Sequence, residues 1–466
     1  MIGHGLWCAG SGLFPGSAGP GSSAGTGSSD KEVTPMRTPL TAARAAIAGG
    51  AVAALTLAGC SAKGQATQLD PSGDASFTYW SMWNPNEPQA KILADAIAEF
   101  TADTGIEVDV QWQGREVVTK LLPTLTSGAA ADLVDGSVNA LGPIVAADAQ
   151  LDLTPAYELT VPGDERPLSA VIPEAYVKAV EDAEGEPTMV PYEVMSEGVW
   201  FDAAAHPELA QATGSWDEFV AALQKIDATG TPAVAVPSND AYWVTLLLER
   251  ALGVDGLRTL ATDKTGDAWD APGVAQALAA FDELRPFFPD GYEANQGADA
   301  QNLWAGGGAA AYLSGTWVPS EAAPNVGKGF TFESVQLPPL RPGGSTAVGA
   351  NFIGFAIPAS ADDAAAAQKF IAYFAQKKHA ERIATEAVQI SPRADVSVPA
   401  ELTSIADALR AGDLYPDQGG LARDYPDWYS TIYRTAVTGF VTGQYDAEAF
   451  VEQAKRQTVD YLATHG

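Results

Sequence analysis

The sequence predicts an α/β fold in which a parallel sheet carries helices on both faces. Three observations predict it. Over residues 77–136 the apolar period switches between two and 3.6 residues in the order strand, helix, strand, helix, strand. The same style restarts near residue 190. The chain has 466 residues, 46% hydrophobic and 18% charged, which is enough for two or three domains with real cores.

The first strand is 77–80, ending in Tyr79 and Trp80. Pro88 suits the first position of the following helix, where its missing N–H costs nothing. Leu93, Ile97 and Phe100 make one helical stripe, and Gly105 tolerates the left-handed cap that stops it. Ile106, Val108, Val110 and Trp112 alternate as a strand does. Val118, Leu121, Leu122 and Leu125 form the next stripe, and 132–136 is a short apolar strand and turn. Further strands are predicted at 190–194, 199–201, 233–237, 309–313 and 352–357. Ser215 and Glu218 form a capping box that opens a helix through Phe219, Leu223 and Ile226. A helix is read over 243–252, and helices dominate from 361 onward. In parallel sheets ligands sit beyond the carboxyl ends of strands, where Trp80, Trp83, Trp112 and Asp135 fall.

Composition excludes several classes. The net charge of -32 repels phosphate backbones, so no nucleic-acid partner is expected. The two cysteines, Cys8 and Cys60, cannot build a disulfide framework or a metal clip. The four histidines are scattered, without the spacing of a zinc site, and no glycine loop is followed by Lys and Ser or Thr. No metal, cofactor or catalytic residue is therefore assigned. Gly21-Ser22-Ser23-Ala24-Gly25 matches a nucleophile elbow only literally, because it lacks the strand and helix around it. Carboxylates are numerous, so a glycosidase pair stays open as an alternative.

The N-terminus stands apart. Residues 1–35 are rich in Gly, Ser and Pro and cannot bury a core, so they are expected to be disordered. Met36 reads as the true start, with 1–35 not translated or removed. Arg37 and Arg44 then precede a short apolar run. Leu57-Ala58-Gly59-Cys60 resembles a bacterial lipobox. That resemblance implies a lipoprotein signal peptide over 36–60, lipidation at Cys60 and a tether over 61–74. It also implies a location on the outer face of the cytoplasmic membrane.

The mature chain resembles the extracellular solute-binding proteins of carbohydrate ABC importers, the group that includes maltose-binding protein. The resemblance is carried by 100–108, 121–134, 151–154, 190–193, 215–219 and 309–317, whose order and spacing matter more than any one segment. It implies a two-lobe periplasmic-binding-protein-like fold of type II, each lobe a sheet flanked by helices, with the ligand cleft between lobes. It places lobe one at 75–190 plus 340–390 and lobe two at 191–336 plus 396–462, with crossings near 191–194, 336–340 and 390–395. It implies a monomer that binds sugar, closes about a hinge and delivers its ligand to an ABC permease. A polyamine is the alternative ligand.

A pyranose has an apolar face and a hydroxyl rim. Aromatic faces cover the first, and carboxylates and amides satisfy the second. The candidate ligand contacts are Trp80, Trp83, Asn84, Glu87, Trp112, Asp135, Tyr192, Glu193, Trp243, Trp317, Asn351 and Trp428. Each has a plainer reading. Trp80, Trp83 and Trp112 also fit sheet packing, Trp243 fits packing under Leu246 and Leu247, and Asn84 and Glu87 fit exposed surface. Arg393 offers a fork to hydroxyls or, more simply, a salt bridge.

Overall fold

The computed structural model describes residues 76–465 apart from 129, 183 and 240. The leader 1–35, the signal segment 36–60 with Cys60, and the tether 61–74 lie outside the described residues. Among those described, no helix is long and apolar enough to cross a membrane.

Twelve strands are present among the described residues: β1 (Ser76–Ser81), β2 (Glu107–Trp112), β3 (Leu133–Ser137), β4 (Thr160–Val161), β5 (Arg166–Pro167), β6 (Val190–Met195), β7 (Glu197–Asp202), β8 (Val234–Ala235), β9 (Ala311–Gly315), β10 (Phe332–Val335), β11 (Val348–Ala356) and β12 (Leu414–Pro416). They form a six-stranded sheet, a four-stranded sheet of order β10-β7-β9-β8, and the β4-β5 hairpin.

The first three strands behave as their periodicity requires. β1 pairs in parallel with β2 on one side and β3 on the other. The helix Pro88–Thr104 connects the first two and stops at Gly105, whose φ of 75° lets its N–H reach the Thr101 carbonyl. The rest of the sheet departs from the parallel expectation. β11 lies antiparallel to β3, β6 lies antiparallel to β11, and β12 runs parallel to β11. The chain returns from the second sheet through 336–347, so β11 enters from the opposite end. All nine of its residues are buried, and apart from Asn351 it reads as a small and apolar run rather than an alternating one. A Cβ on Gly354 would stand 2.4 Å from the Val190 carbonyl oxygen, so only glycine lets β6 approach there.

Two hydrophobic clusters hold the molecule. The first packs the edges and faces of Phe77, Phe100, Phe355 and Phe370, with ring centroids 5.4–6.5 Å apart between β1, β11 and two helices. The second gathers Phe201, Phe219, Trp243, Phe281 and Phe440 around the helices of the second sheet. That sheet divides its residues by alternation. Val199, Phe201 and Leu313 enter the second cluster, while Trp200 and Tyr312 join the first.

β6 and β7 are separated only by Ser196, whose hydroxyl donates to the Gly349 carbonyl at 2.7 Å. The backbone thus passes from one sheet to the other in a single residue. The third crossing differs from expectation. The expected boundaries put the helix Thr403–Ala411 and β12 in lobe two, yet Leu402, Ile405 and Leu409 belong to the first cluster and β12 to the first sheet. Ile390 bridges Val194 in β6, which keeps this return path beside the first sheet.

Candidate functional site

Asp135, at the middle of β3, organises the loop that follows β1. It has no exposed surface. Its Oδ2 accepts the hydroxyls of Tyr79 at 2.7 Å, Tyr192 at 2.7 Å and Ser81 at 3.2 Å, and its Oδ1 accepts the Met82 N–H at 2.6 Å. Burial raises this carboxyl, and the four donors oppose that rise. The Trp83 indole N–H donates to the Tyr192 hydroxyl at 2.7 Å, continuing the network. Asp135 is therefore spent on the protein itself and sets the loop after β1.

That loop carries the expected pair of indoles, and they part company. Trp83 is fully buried, with the Arg115 guanidinium 4.7 Å above its ring. Trp80 is half-buried and lies on the sheet face opposite Tyr79 and Ser81. Arg115 donates to the Met82 carbonyl at 2.6 Å and grips both oxygens of Glu87, at 2.5 and 3.2 Å. Glu87 also accepts the backbone and side-chain N–H groups of Asn84. Glu87 and Asn84 thus fasten the turn, and Arg115 is a residue that the sequence reading missed. Its neighbours Gly114 and Glu116, in a loop just past a strand end, were the available signal.

Two more carboxyls meet here from different sheets. Glu193, in β6, is 1% exposed; burial pushes it up to about 8, against a bond from Gln89 and the charge of Arg115. Glu321, in the short helix Val318–Ala322, is pushed up by burial to about 7, and Gln301 donates to its Oε2 at 3.2 Å. The Arg115 charge lowers both and the Glu87 charge raises both. Glu193 Oε1, Glu321 Oε1 and Thr316 Oγ1 are buried with no hydrogen-bond partner. Trp317, half-buried, follows β9 and accepts the Glu321 N–H through its carbonyl at 3.1 Å. Its ring folds back over Gly315. Trp83, Arg115 and Glu193 thus come from the first sheet and its loops, and Thr316, Trp317 and Glu321 from the second.

Glu193 makes the stability of the unliganded protein depend on pH. Its carboxyl is raised from the usual 4.5 to about 8. Between those values the folded chain keeps a proton that the unfolded chain has lost, so stability falls as pH rises through that window. The fall amounts to several kcal/mol at most, at ~1.4 kcal/mol per unit. Glu193→Gln flattens it. Urea midpoints of both proteins at pH 5 and pH 9 check this, and equal pH slopes would refute it.

Asn351 lands in a second polar cluster. Its Nδ2 points to Asp417 Oδ2 at 3.5 Å, and Asn139 reaches the same oxygen at 3.1 Å. Gln418 sits beside it and accepts the Tyr429 hydroxyl at 2.6 Å. Burial raises the Asp417 carboxyl, opposed by bonds from Glu197, Gln418 and Asn139. The cluster joins the Val138–Ala146 helix, β11, β7 and the Asp417–Gly420 turn.

The remaining candidates lie elsewhere. Trp243 and Trp428 are 2% and 1% exposed in the second cluster, where Trp428 stacks on Tyr433 at 5.4 Å and donates to Thr458 at 3.0 Å. Trp112 is half-buried against the first cluster. Arg393 forms the salt bridge, gripping Asp164 and Asp395 at 2.6 and 2.8 Å. A separate groove of about 470 Å³ runs beside the second crossing, lined by Arg250, Glu333, Ser334, Gln336 and Ser404. No group of three or more His, Cys, Asp or Glu among the described residues stands close enough to hold a metal ion.

Comparisons with known proteins bear on this arrangement. Residues 95–409 match the model of the family described as bacterial extracellular solute-binding protein. No curated protein matches the chain. Among solved structures, apo RafE from Streptococcus pneumoniae superposes with a TM-score of 0.68 at 15% identity, covering 85% of this chain and 100% of that one. The solute receptor AcbH, whose exclusive preference is for β-D-galactopyranose, gives 0.66 at 16% identity over 84% and 98%. A probable secreted solute-binding lipoprotein from Streptomyces coelicolor gives 0.63 at 18% identity over 82% and 98%. Such identities show a shared fold.

Proposed function

The chain belongs to the bacterial extracellular solute-binding protein family, and from that premise we propose that it captures a sugar, an oligosaccharide by preference, between two lobes built on its two sheets. The lobes close about Ser196 and the other crossings, and the closed form delivers its sugar to an ABC permease. The protein acts as a monomer, held at the outer face of the membrane through a lipid on Cys60, and it turns over no substrate.

One observation carries this reading. Glu193 from the first sheet and Glu321 from the helix after the second both feel the charges of Arg115 and Glu87, each keeps a buried oxygen without a partner, and half-buried Trp317 precedes the Glu321 helix. Hydroxyl donors satisfy such oxygens, and indole faces cover the apolar side of a pyranose. A ligand that touches both lobes only when they are shut shifts the population by its difference in affinity. RafE has been solved with raffinose, and AcbH takes β-D-galactopyranose. Both support a saccharide.

The test is a thermal-shift and calorimetric panel of mono- and oligosaccharides, with small-angle scattering on any member that binds. A micromolar sugar contributes about -8 kcal/mol. At a hundredfold excess over Kd it adds about 2.7 kcal/mol of stability, and the radius of gyration shrinks. A panel with no heat and no change in scattering rejects the proposal. New reducing ends after overnight incubation would favour a glycosidase.

A further inference from the structure

We propose that Glu197 and Asp417 share one proton and so form a latch at the point where the chain crosses between its two sheets. Loss of that proton as pH rises loosens the latch. The inference takes the proposed movement of two lobes as what the latch restrains, and its test needs no ligand.

Three crossing segments meet at this point. β6 passes to β7 through Ser196, whose hydroxyl donates to the Gly349 carbonyl at 2.7 Å. The chain returns through 336–347 into β11, which contains Gly349. It leaves β12 of the first sheet through the turn Asp417–Gly420 and enters the second cluster at Leu421. Gly349 pairs with Tyr415 across β11 and β12, and a Cβ on it would stand 3.6 Å from the Asp417 Cα. Glu197, the residue after Ser196, reaches Asp417 from the second sheet. The turn is sharply bent, with φ of 51°, 67° and 72° at Gln418, Gly419 and Gly420. The first of these is a strained state for a residue with a Cβ. The second crossing is pinned at both ends, because Arg250 donates to the Leu337 carbonyl at 2.9 Å and the Ala347 carbonyl at 2.8 Å. Movement between the sheets is therefore concentrated where Ser196, Gly349 and Asp417 meet.

Glu197 and Asp417 are 3% and 2% exposed. Asp417 Oδ2 faces the amides of Asn139 at 3.1 Å and of Asn351 and Gln418 at 3.5 Å. Its Oδ1 is buried and receives none of them. The other bonding neighbour is Glu197, and a carboxyl donates only when protonated. The three amides hold the negative charge on Asp417, so the shared proton sits on Glu197. The nearby cations are already committed. Arg250 pairs with Glu249 at 2.6 Å, and Arg258 with Asp424 at 2.6 Å and the Gly419 carbonyl at 2.7 Å. The buried Tyr415 hydroxyl stays neutral, since burial raises it well above its ordinary value. Neither cation is left for the pair, so two carboxylates here would repel in a buried place, and one proton between them is the lower state. Burial raises the Asp417 carboxyl above its ordinary 3.8. The folded chain keeps a proton that the unfolded chain has lost, so the latch is whole at low pH and fails as pH rises through the raised value.

Amide hydrogen exchange on the full mature chain without ligand tests this, read at 196–198, 348–350 and Asp417–Gly420. Each rate is divided by the intrinsic rate at its pH. Between pH 5 and pH 9 the wild-type protein loses about tenfold or more of its protection at these segments. Glu197→Gln keeps a donor toward Asp417 but has no proton to lose, so its protection changes by less than about twofold. Asp417→Asn turns its carbonyl to the amides and its N–H to Glu197, and gives the same flat profile; it serves where Glu197→Gln folds poorly. Glu193 titrates in all three proteins and cancels in the comparison. Infrared difference spectra give a readout independent of exchange. The wild-type protein shows a protonated-carboxyl band at pH 5 that weakens by pH 9 and is reduced in Glu197→Gln. Equal pH dependence in the wild-type protein and the variants, or an infrared band that Glu197→Gln leaves unchanged, overturns the inference. Either result leaves the sugar-binding reading standing, which the saccharide panel tests separately.

Discussion

Gly315→Ala weakens binding of whichever sugar stabilises the protein by about 10–100-fold, the loss expected when one stacked aromatic face, about 1.5–3 kcal/mol, is withdrawn. The reason is steric. A Cβ at this position would stand 2.0, 2.2 and 2.4 Å from three carbons of the Trp317 ring. No flexible chain end can yield there, because the obstacle is a rigid indole held between β9 and the Val318–Ala322 helix. The ring must swing away, taking with it the face proposed to meet the sugar. Trp317→Ala should cost a similar amount, and the double variant little more than either alone, since both remove the same contact. Isothermal titration of the three variants measures the cycle. Wild-type affinity in Gly315→Ala would show that the ring's folded-back position has no part in binding.

Asp135→Ala costs stability rather than contact with ligand, by about 4–6 kcal/mol. Four donors converge on this carboxylate: two tyrosine hydroxyls, a serine hydroxyl and a backbone N–H. All are buried, so none regains water when the acceptor is removed. The two tyrosines also pack their rings on Phe355, at 5.9 and 4.8 Å, and cannot turn outward without opening the first cluster. Asp135→Asn keeps the shape but sets an amide donor among donors, and should lose about half as much. Urea unfolding at pH 7 with an unchanged slope reads both effects. A loss below about 1 kcal/mol in Asp135→Ala would mean that water replaces the carboxylate. The network also ties the loop after β1 to β6 through Trp83, so the surviving fraction of a milder variant should bind ligand more weakly than its stability alone explains.

The amino-acid sequence by itself determined the local elements. Apolar spacing placed β1, the Pro88–Thr104 helix, β2 and β3 within a residue or two, because a period is a property of neighbouring positions. Gly105 and Ser215 marked helix ends for the same reason: the cap is made by the residue itself and those beside it. The family resemblance also came from ordered local segments, and the match over 95–409 agrees with it.

Tertiary structure alone decided which aromatic and acidic side chains meet. Trp83 and Tyr192 are 109 residues apart in the chain, and Asn139 and Asp417 are 278 apart. Periodicity says that Trp80 and Tyr79 face opposite ways, but not which face another element will cover. Trp428 and Trp317 carry the same indole. One is stacked on Tyr433 beneath a helix, and the other stands at the junction of two sheets. Glu321 escaped notice because nothing within a few residues distinguishes it from a solvated charge, and the one local sign at Arg115 was its place just past a strand end. Their partners arrive only when separate strands bring them together, and burial, which shifts the carboxyls and orphans their oxygens, is a property of that assembly.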